Sequence, residues 1–592
     1  MAMSWQKKNL LNQFFEKTFK KLFDYSNNAG DYIEKNIFRK YSSLNRSKRF
    51  IISWLLLIVI LFFVLVVQNF MLSDYYQVNK FIPGGVFSEG IVGTFTNANP
   101  IYATSDVDST VSHLLFASLF TYNNQNKLVG DLASSYSIDT TGRVYTIKLK
   151  PNLFWQDGRP LTSQDVVFTY NLIQNPDTQS PFQSSFQGIK VTATNPTTVV
   201  FKLPDVLSSF IYSLTNGIVP EHILGSIPPI DMRSALFNTN HPIGSGPFSW
   251  QGIEVTGSDP TNAESQIQLV PNKYFNGGQA KLSEYIIKSY PTNQLLQQAF
   301  LANQVIAAVG LSNKNVNKIP NVYRYHFLFT AGTYVFFKTS SGFLTDQQLR
   351  QALVMATNVP QIINSLGYVT HQVSEPLLVG QLGYNPKYKQ SSLNLNGANQ
   401  LLQSNGWLLS KNGYRYKNNQ LLQFSLTTLD TPDYTMVANL LQKQWQKIGV
   451  KLNLNIQAPG DFNISLQYHQ YDALLYDISI GIDPDVFIYW DSSQANPQLT
   501  GSLNFSEFKN STADESLESG RTRLNPALRV IKYQSFLNVW QQQAPAVGLY
   551  QPGLILVSHS VINGLRGHVI NTNTDIFANL VNWEIDSQRQ TE

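Results

Sequence analysis

Between Phe50 and Val67 the chain reads FIISWLLLIVILFFVLVV, 18 residues with Ser53 as the only small polar side chain. A helix of this composition has no polar face, so it cannot lie on the surface of a water-soluble domain. At about 1.5 Å per residue it is roughly 27 Å long, and Gln68 to Leu72 extend it across a hydrocarbon core of about 30 Å. Arg46, Lys48 and Arg49 crowd its N-terminal flank, while the other flank offers Asp74 and later Lys80. That asymmetry predicts a single-pass anchor over 50–72 in a cell membrane, with the N-terminus cytoplasmic and the remaining 520 residues extracytoplasmic. A cleaved signal peptide fits less well, since those carry about 7–15 apolar residues and a small-x-small site. Here 49 residues precede a longer run, and QNFMLSDYY follows it.

Charge divides at the same place. The chain holds 43 Lys and Arg against 38 Asp and Glu, of which 11 and 4 precede Phe50. The first 49 residues are therefore net +7 and the rest net −2. The pI near 8.9 belongs to the tail, and no nucleic-acid partner is expected from it. There is no cysteine, which excludes disulfides, thiolate metal sites, a cysteine nucleophile and a lipid-modified cysteine tether. In the tail, Leu11, Phe14, Phe15, Phe19, Leu22 and Phe23 recur at helical spacing opposite Lys17, Lys20 and Lys21. This predicts a basic amphipathic helix over 10–23 that contacts anionic membrane lipid.

A spacer is expected over 73–85, then one outer domain over 86–592 with no later linker. VYTIKLK (Val144 to Lys150) and TTVVFKL (Thr197 to Leu203) read as strands. SQDVVFTYNLI (Ser163 to Ile173), QQLRQALVMAT (Gln347 to Thr357) and ANLLQKQWQKI (Ala438 to Ile448) read as helices, the first capped by Thr162 or Ser163. Strands and helices mixed over so long a stretch predict a multi-lobed α/β protein.

Motifs for chemistry are missing. No G-x-x-x-x-G-K-[ST] loop and no G-x-S-x-G elbow occur; Gly244, Ser245 and Gly246 before Pro247 read as a tight turn. None of the eight histidines sits at H-x-H or H-x-x-x-H spacing. Asp483 and Asp485 flank Pro484, a turn former, which argues against a catalytic dyad. No enzyme, cofactor or metal is expected.

From Leu128 to Ile173 the chain reads LVGDLASSYSIDTTGRVYTIKLKPNLFWQDGRPLTSQDVVFTYNLI. This closely resembles the hallmark of the extracellular solute-binding proteins, family 5, that feed peptide, nickel and related ABC importers. Leu132 to Tyr136, Gly142 to Leu149 and Phe154 to Phe168 match three consecutive family elements. Gly130 stands where the family usually has proline, and Trp155 where it has histidine or lysine. Asp157-Gly158 reads as a turn and Asp165 as a first-turn carboxylate at the positive helix end, both scaffold. The likeness continues through Ala98-Asn99-Pro100, Ile218 to Ile223, Pro242 to Phe248, Asn272 with Tyr274, Leu349 to Leu353, Gly406-Trp407, Ile448 to Val450, Asp483 to Asp485 and Ala544-Pro545.

The resemblance implies a three-lobed clamshell of the type II periplasmic-binding-protein class behind the transmembrane helix. Lobe I would take about 86–126, 206–330 and 548–592, an extra lobe about 127–205, and lobe II about 331–547. Ligand would bind between lobes I and II, which close by hinge motion. The implied partners are an ABC permease with a separate ATPase, and a peptide or other small solute; a solute sensor signalling through a cytoplasmic partner is the alternative. Peptide-binding members lay the peptide against main chain as an added strand. They pair its amine with an acid four residues before the proline of the Asp-Pro element, with a tryptophan three residues earlier. Here those positions hold Ile480 and Asp477. Either Asp477 takes over the pairing, or the loop is shifted, or the ligand has no free amine. Gly332, Thr333, Tyr334, Ser479, Gly481 and Tyr550 complete the expected lining.

Overall fold

The computed structural model describes residues 48–75, 77–257, 263–312, 316–499 and 501–591. The chain divides into two units, Met1–Lys80 with Gln588–Glu592, and Phe81–Ser587. In the first, the apolar run lies within a helix spanning Lys48–Tyr75. Its segment Phe50–Gln68 has a mean hydropathy of 3.4 and none of it is buried. Among the described residues it is the one helix long and apolar enough to cross a membrane. Over the region expected as a spacer, the helix runs on to Tyr75, and Gln77–Ile82 pairs with Asp586–Thr591 in a two-stranded ribbon. Helix propagation past the apolar run costs little once the run is helical. The expected amphipathic helix over 10–23 lies outside the described residues.

The second unit is built on two large sheets. The first has eight strands in the spatial order Val569–Ile570, Tyr323–Phe329, Gly553–Ser558, Ala307–Val309, Val86–Val92, Glu284–Tyr290, Glu264–Pro271 and Phe248–Thr256. The second has five, in the order Lys451–Gln457, Gln423–Leu429, Ala473–Ser479, Ala331–Phe337 and Ala546–Tyr550. A four-stranded antiparallel sheet over residues 133–202 carries the helix Ser163–Gln174. The fold is thus mixed α/β.

The chain passes between the two large sheets twice. Strand Tyr323–Phe329 of the first leads through Thr330 into Ala331–Phe337 of the second. Strand Ala546–Tyr550 of the second returns through Gln551 and Pro552 into Gly553–Ser558 of the first. Tyr550, the last residue of the second-sheet strand, pairs with Thr333. The passages run side by side: Phe327 opposes Leu554, Phe329 N–H donates to the Pro552 carbonyl (3.0 Å), and the Gln551 amide donates to the Phe329 carbonyl (3.1 Å).

Strand Ala331–Phe337 shows how sequence makes this centre. All seven residues are buried, and side chains alternate between two apolar clusters. Val335 and Phe337 join one with Leu475 and Trp445; Tyr334 and Phe336 join the other with Leu474 and Trp490. A strand covered on both faces needs an unbroken apolar run, and VFF supplies it.

Candidate functional site

A cavity of about 480 Å³ lies on the first-sheet side and reaches Phe329, the last residue before the first passage. Three stretches distant in sequence build it, Pro100 to Tyr122, Thr215 to Gly217, and Thr572 to Asp575, with Phe182 as a further contributor. The helix Asp106–Leu115 forms one wall, begun by Ser105, whose hydroxyl accepts from Asp108 N–H (3.1 Å). Asp108 fixes this helix to the preceding loop by accepting from Thr96 N–H (2.7 Å), the Thr96 hydroxyl (2.6 Å) and Asn97 N–H (3.1 Å).

The polar groups of the cavity are acidic or neutral. Asp106 Oδ1 accepts from the Asn573 amide at 2.6 Å. Asp106 is exposed at the cavity mouth; the surrounding protein raises its carboxyl above the ordinary value by partial desolvation, and the Asn573 bond opposes that rise. Asp575 accepts through Oδ2 from Asn571 N–H (2.7 Å), Thr572 N–H (3.1 Å) and the Asn571 amide (3.2 Å), closing the turn that presents Thr572 to Asp575. His113 lies stacked on Phe577 with centroids 5.9 Å apart. Burial lowers its pKa, against the pull of Asp575 and Asp131. The Tyr122 hydroxyl is raised by burial first, then by the charges of Asp575, Tyr212 and Asp483.

The second sheet meets this region at the turn after Ala473–Ser479. Ile480 N–H and Gly481 N–H both donate to the Thr330 carbonyl at 2.9 Å. Thr330 in turn donates its hydroxyl to Asn571 Oδ1 (2.5 Å), beside the Thr572–Asp575 wall. Gly481 adopts φ +74°, a conformation most side chains avoid, with open space where a Cβ would stand. Its carbonyl accepts from the Gln381 amide at 2.6 Å.

Strand alternation sorts the eight expected lining residues into two faces. Asp477, Thr333 and Tyr550 stand side by side across three strands. Gly332 and Tyr334 point the other way; the Tyr334 hydroxyl donates to the Glu375 carbonyl (3.1 Å), and its ring lies 2.6 Å from where a Gly332 Cβ would be. Thr333, Tyr334 and Tyr550 are sealed from solvent, Ile480 is buried, and Ser479 is exposed. None of the eight lines the 480 Å³ cavity. Asp477 is half-buried, its Oδ1 is buried without a hydrogen bond, and burial pushes its pKa up to about 6. Its charge bears on Tyr368 and Tyr550, as does that of Asp433, which lines a smaller crevice of about 280 Å³.

Asp483 and Asp485 are ion-paired rather than paired with each other. Arg529 grips Asp483 through two bonds (2.6 and 2.7 Å), and Arg521 lies 3.3 Å from Asp485. Asp485 also accepts from the Ser209 hydroxyl (2.9 Å), and Ser208 N–H donates to the Arg521 carbonyl (2.9 Å). The Asp-Pro-Asp turn thus joins the second-sheet half to the segment that follows the small sheet. Sequence reasoning missed Asp106, His113, Tyr122 and Asp575. Each is unremarkable within its own stretch, and only the fold brings them together.

The sequence profile of the bacterial extracellular solute-binding proteins, family 5 Middle, matches residues 127–498. The chain is 24% identical over 522 residues to the oligopeptide-binding protein AppA of Bacillus subtilis (strain 168), covering 84% of this chain and 91% of that one. Among solved structures, NikZ from Campylobacter jejuni in complex with Ni(L-His) aligns with a TM-score of 0.71 at 24% identity, covering 84% of this chain and 99% of that one. AppA from Bacillus subtilis in complex with a nonapeptide aligns with a TM-score of 0.68 at 23% identity, covering 86% and 100%. With the two passages between sheets and the cavity beside them, these likenesses make the chain a member of the bacterial extracellular solute-binding proteins, family 5.

Proposed function

We propose that this protein is the membrane-tethered, extracytoplasmic substrate-binding component of an ABC importer. It captures oligopeptides between two lobes and hands them to a permease whose ATPase is a separate chain. The observation that carries the reading is the paired passage at Thr330 and at Gln551 with Pro552. Two adjacent, antiparallel connections between two sheets, with a cavity of about 480 Å³ opening beside them, make a hinge with a place for a solute at its root. One lobe is then built on the eight-stranded sheet and the other on the five-stranded sheet, with the four-stranded sheet as a third, smaller lobe. Ser479, Ile480 and Gly481 offer backbone to the ligand from the second lobe, and Asp477, Thr333 and Tyr550 support that strand from behind. The helix Lys48–Tyr75 holds the protein to the cell membrane with its N-terminus cytoplasmic, supported by the length and hydropathy of Phe50–Gln68.

The test is to extract the full chain in detergent, wash it, release its contents with acid and identify them by mass spectrometry. Short peptides released in near-stoichiometric amount are expected. Recovery of a single non-peptide solute instead contradicts the oligopeptide assignment.

A further inference from the structure

Thr330 alone separates the two strands of the first passage, and its polar groups are divided between the two halves of the molecule. Its N–H donates to the Ile570 carbonyl (2.7 Å). Its hydroxyl donates to Asn571 Oδ1 (2.5 Å), with the Ile570 carbonyl 3.3 Å away. Both groups therefore hold it to the first-sheet half. Its carbonyl serves the other half, accepting from Ile480 N–H and Gly481 N–H at 2.9 Å each. A residue has two soft backbone torsions. The N–H and the hydroxyl together fix φ against the Ile570–Asn571 edge, which leaves ψ to carry rotation of one half against the other. Thr330 is only 7% exposed, so water does not readily replace these bonds.

Both ends of the hydroxyl bond sit beside the 480 Å³ cavity. Phe329, which precedes Thr330, lines it, and so does Thr572, which follows Asn571; Thr330 itself is not part of the lining. Asn571 is fixed on its far side as well. Its N–H and its amide donate to Asp575 Oδ2 (2.7 and 3.2 Å), and the amide also donates to Asn126 Oδ1 (2.6 Å), in the loop that leads toward the four-stranded sheet. A solute held against Phe329 and Thr572 thus bears on the two residues that this bond joins.

We propose that Thr330 is the positioning residue that converts a filled cavity into closure, acting through its hydrogen bond to Asn571. The proposal rests on the reading above of two lobes closing on a solute, and names the residue that couples them. Filling the cavity sets the Thr330–Asn571 bond, the bond holds φ, and the Thr330 carbonyl then presents the Gly481 turn in one orientation. Without the hydroxyl the backbone bonds remain, but the solute no longer selects that orientation.

The test compares wild type with Thr330→Val, which keeps the shape and removes the hydroxyl, and Thr330→Ser, which retains a hydroxyl. Each full chain, in detergent, is loaded with a saturating pool of random tri- to nonapeptides. Peptide loss on dilution is followed by mass spectrometry, and a melting curve is recorded for each protein. The distance between spin labels at Val255→Cys and Leu408→Cys, both exposed, reports closure. Thr330→Val should lose peptide about ten-fold faster than wild type and keep a broad distance distribution when loaded, while Thr330→Ser follows wild type. Asn571→Ala removes the same bond from its other end; it should act alike, and the two changes combined should add nothing further. It also stands in if Thr330→Val does not fold. A folded Thr330→Val that closes and releases peptide as wild type does overturns the proposal, even with a lowered melting point. So does an equal loss in Thr330→Val and Thr330→Ser. If wild type binds peptide without any change in distance, or binds none, the reading of a clamshell closing on peptide falls and takes the proposal with it.

Discussion

Glu89 sits on the strand Val86–Val92 at 1% exposure, where its carboxylate accepts from the Tyr285 hydroxyl at 2.5 Å. Burial pushes its carboxyl from 4.5 up to about 7, with the Tyr285 bond pulling the other way. The folded protein therefore holds this proton more tightly than the unfolded chain does. Between pH 4.5 and 7 the folded state binds more protons, so stability falls as pH rises through that window and stays low above it. Glu89→Gln keeps an acceptor for Tyr285 and removes the ionisation. It is expected to raise stability at pH 8 by up to about 3 kcal/mol relative to wild type, with little change at pH 4.5. Urea denaturation at the two pH values measures this, and equal curves for the two proteins at pH 8 contradict it. Glu375 and Asp477, raised by burial to about 7 and about 6, contribute slopes of the same sign, so the variant flattens the pH dependence without abolishing it.

Among the elements, those with strong local signals were legible in the sequence. Strands Val144–Leu149 and Thr198–Lys202 and helices Ser163–Gln174 and Gln347–Ala356 fall where periodicity puts them. The cap of Ser163–Gln174 is Thr162, which exchanges bonds with Asp165 in a capping box, while Ser163 instead donates to the Asn195 carbonyl (2.5 Å). The helix read from Ala438 begins at Pro432, because Thr431 caps it and proline fits the first turn; both signals lie upstream of the apolar repeat. Long-range pairings were not legible. Asp483 and Asp485 looked like a bare turn, since Arg529 and Arg521 lie far along the chain. The Gly244-Ser245-Gly246 bend is likewise more than a turn. A Cβ on Gly244 would stand 1.8 Å from the Leu115 carbonyl oxygen, where Gly246 N–H also donates (2.8 Å). The glycines thus let this loop lie against the end of the helix that walls the cavity. Gly244→Ala is expected to cost about 1–3 kcal/mol through forced backbone displacement. An unchanged denaturation midpoint contradicts that.

For the whole molecule, the sequence showed the class of fold and the family because their signature is spread along the chain as local motifs. The cavity was hidden because three stretches far apart in the chain meet in it, and none of the eight expected lining residues belongs to them. The two halves touch away from the two passages as well, through Ser209 with Asp485 and Ser208 with Arg521. These contacts are polar rather than apolar, which suits a joint that opens and closes. The central claim is that this molecule works by closing on a solute. The absence of cysteine allows a direct test, because Val255→Cys on the first half and Leu408→Cys on the second are both exposed and can be spin-labelled alone. Pulsed electron–electron resonance on the full chain then measures the distance between halves with and without a saturating peptide pool. The account predicts a broad distribution without peptide that narrows and shortens when peptide is added; an identical distribution in both conditions contradicts it.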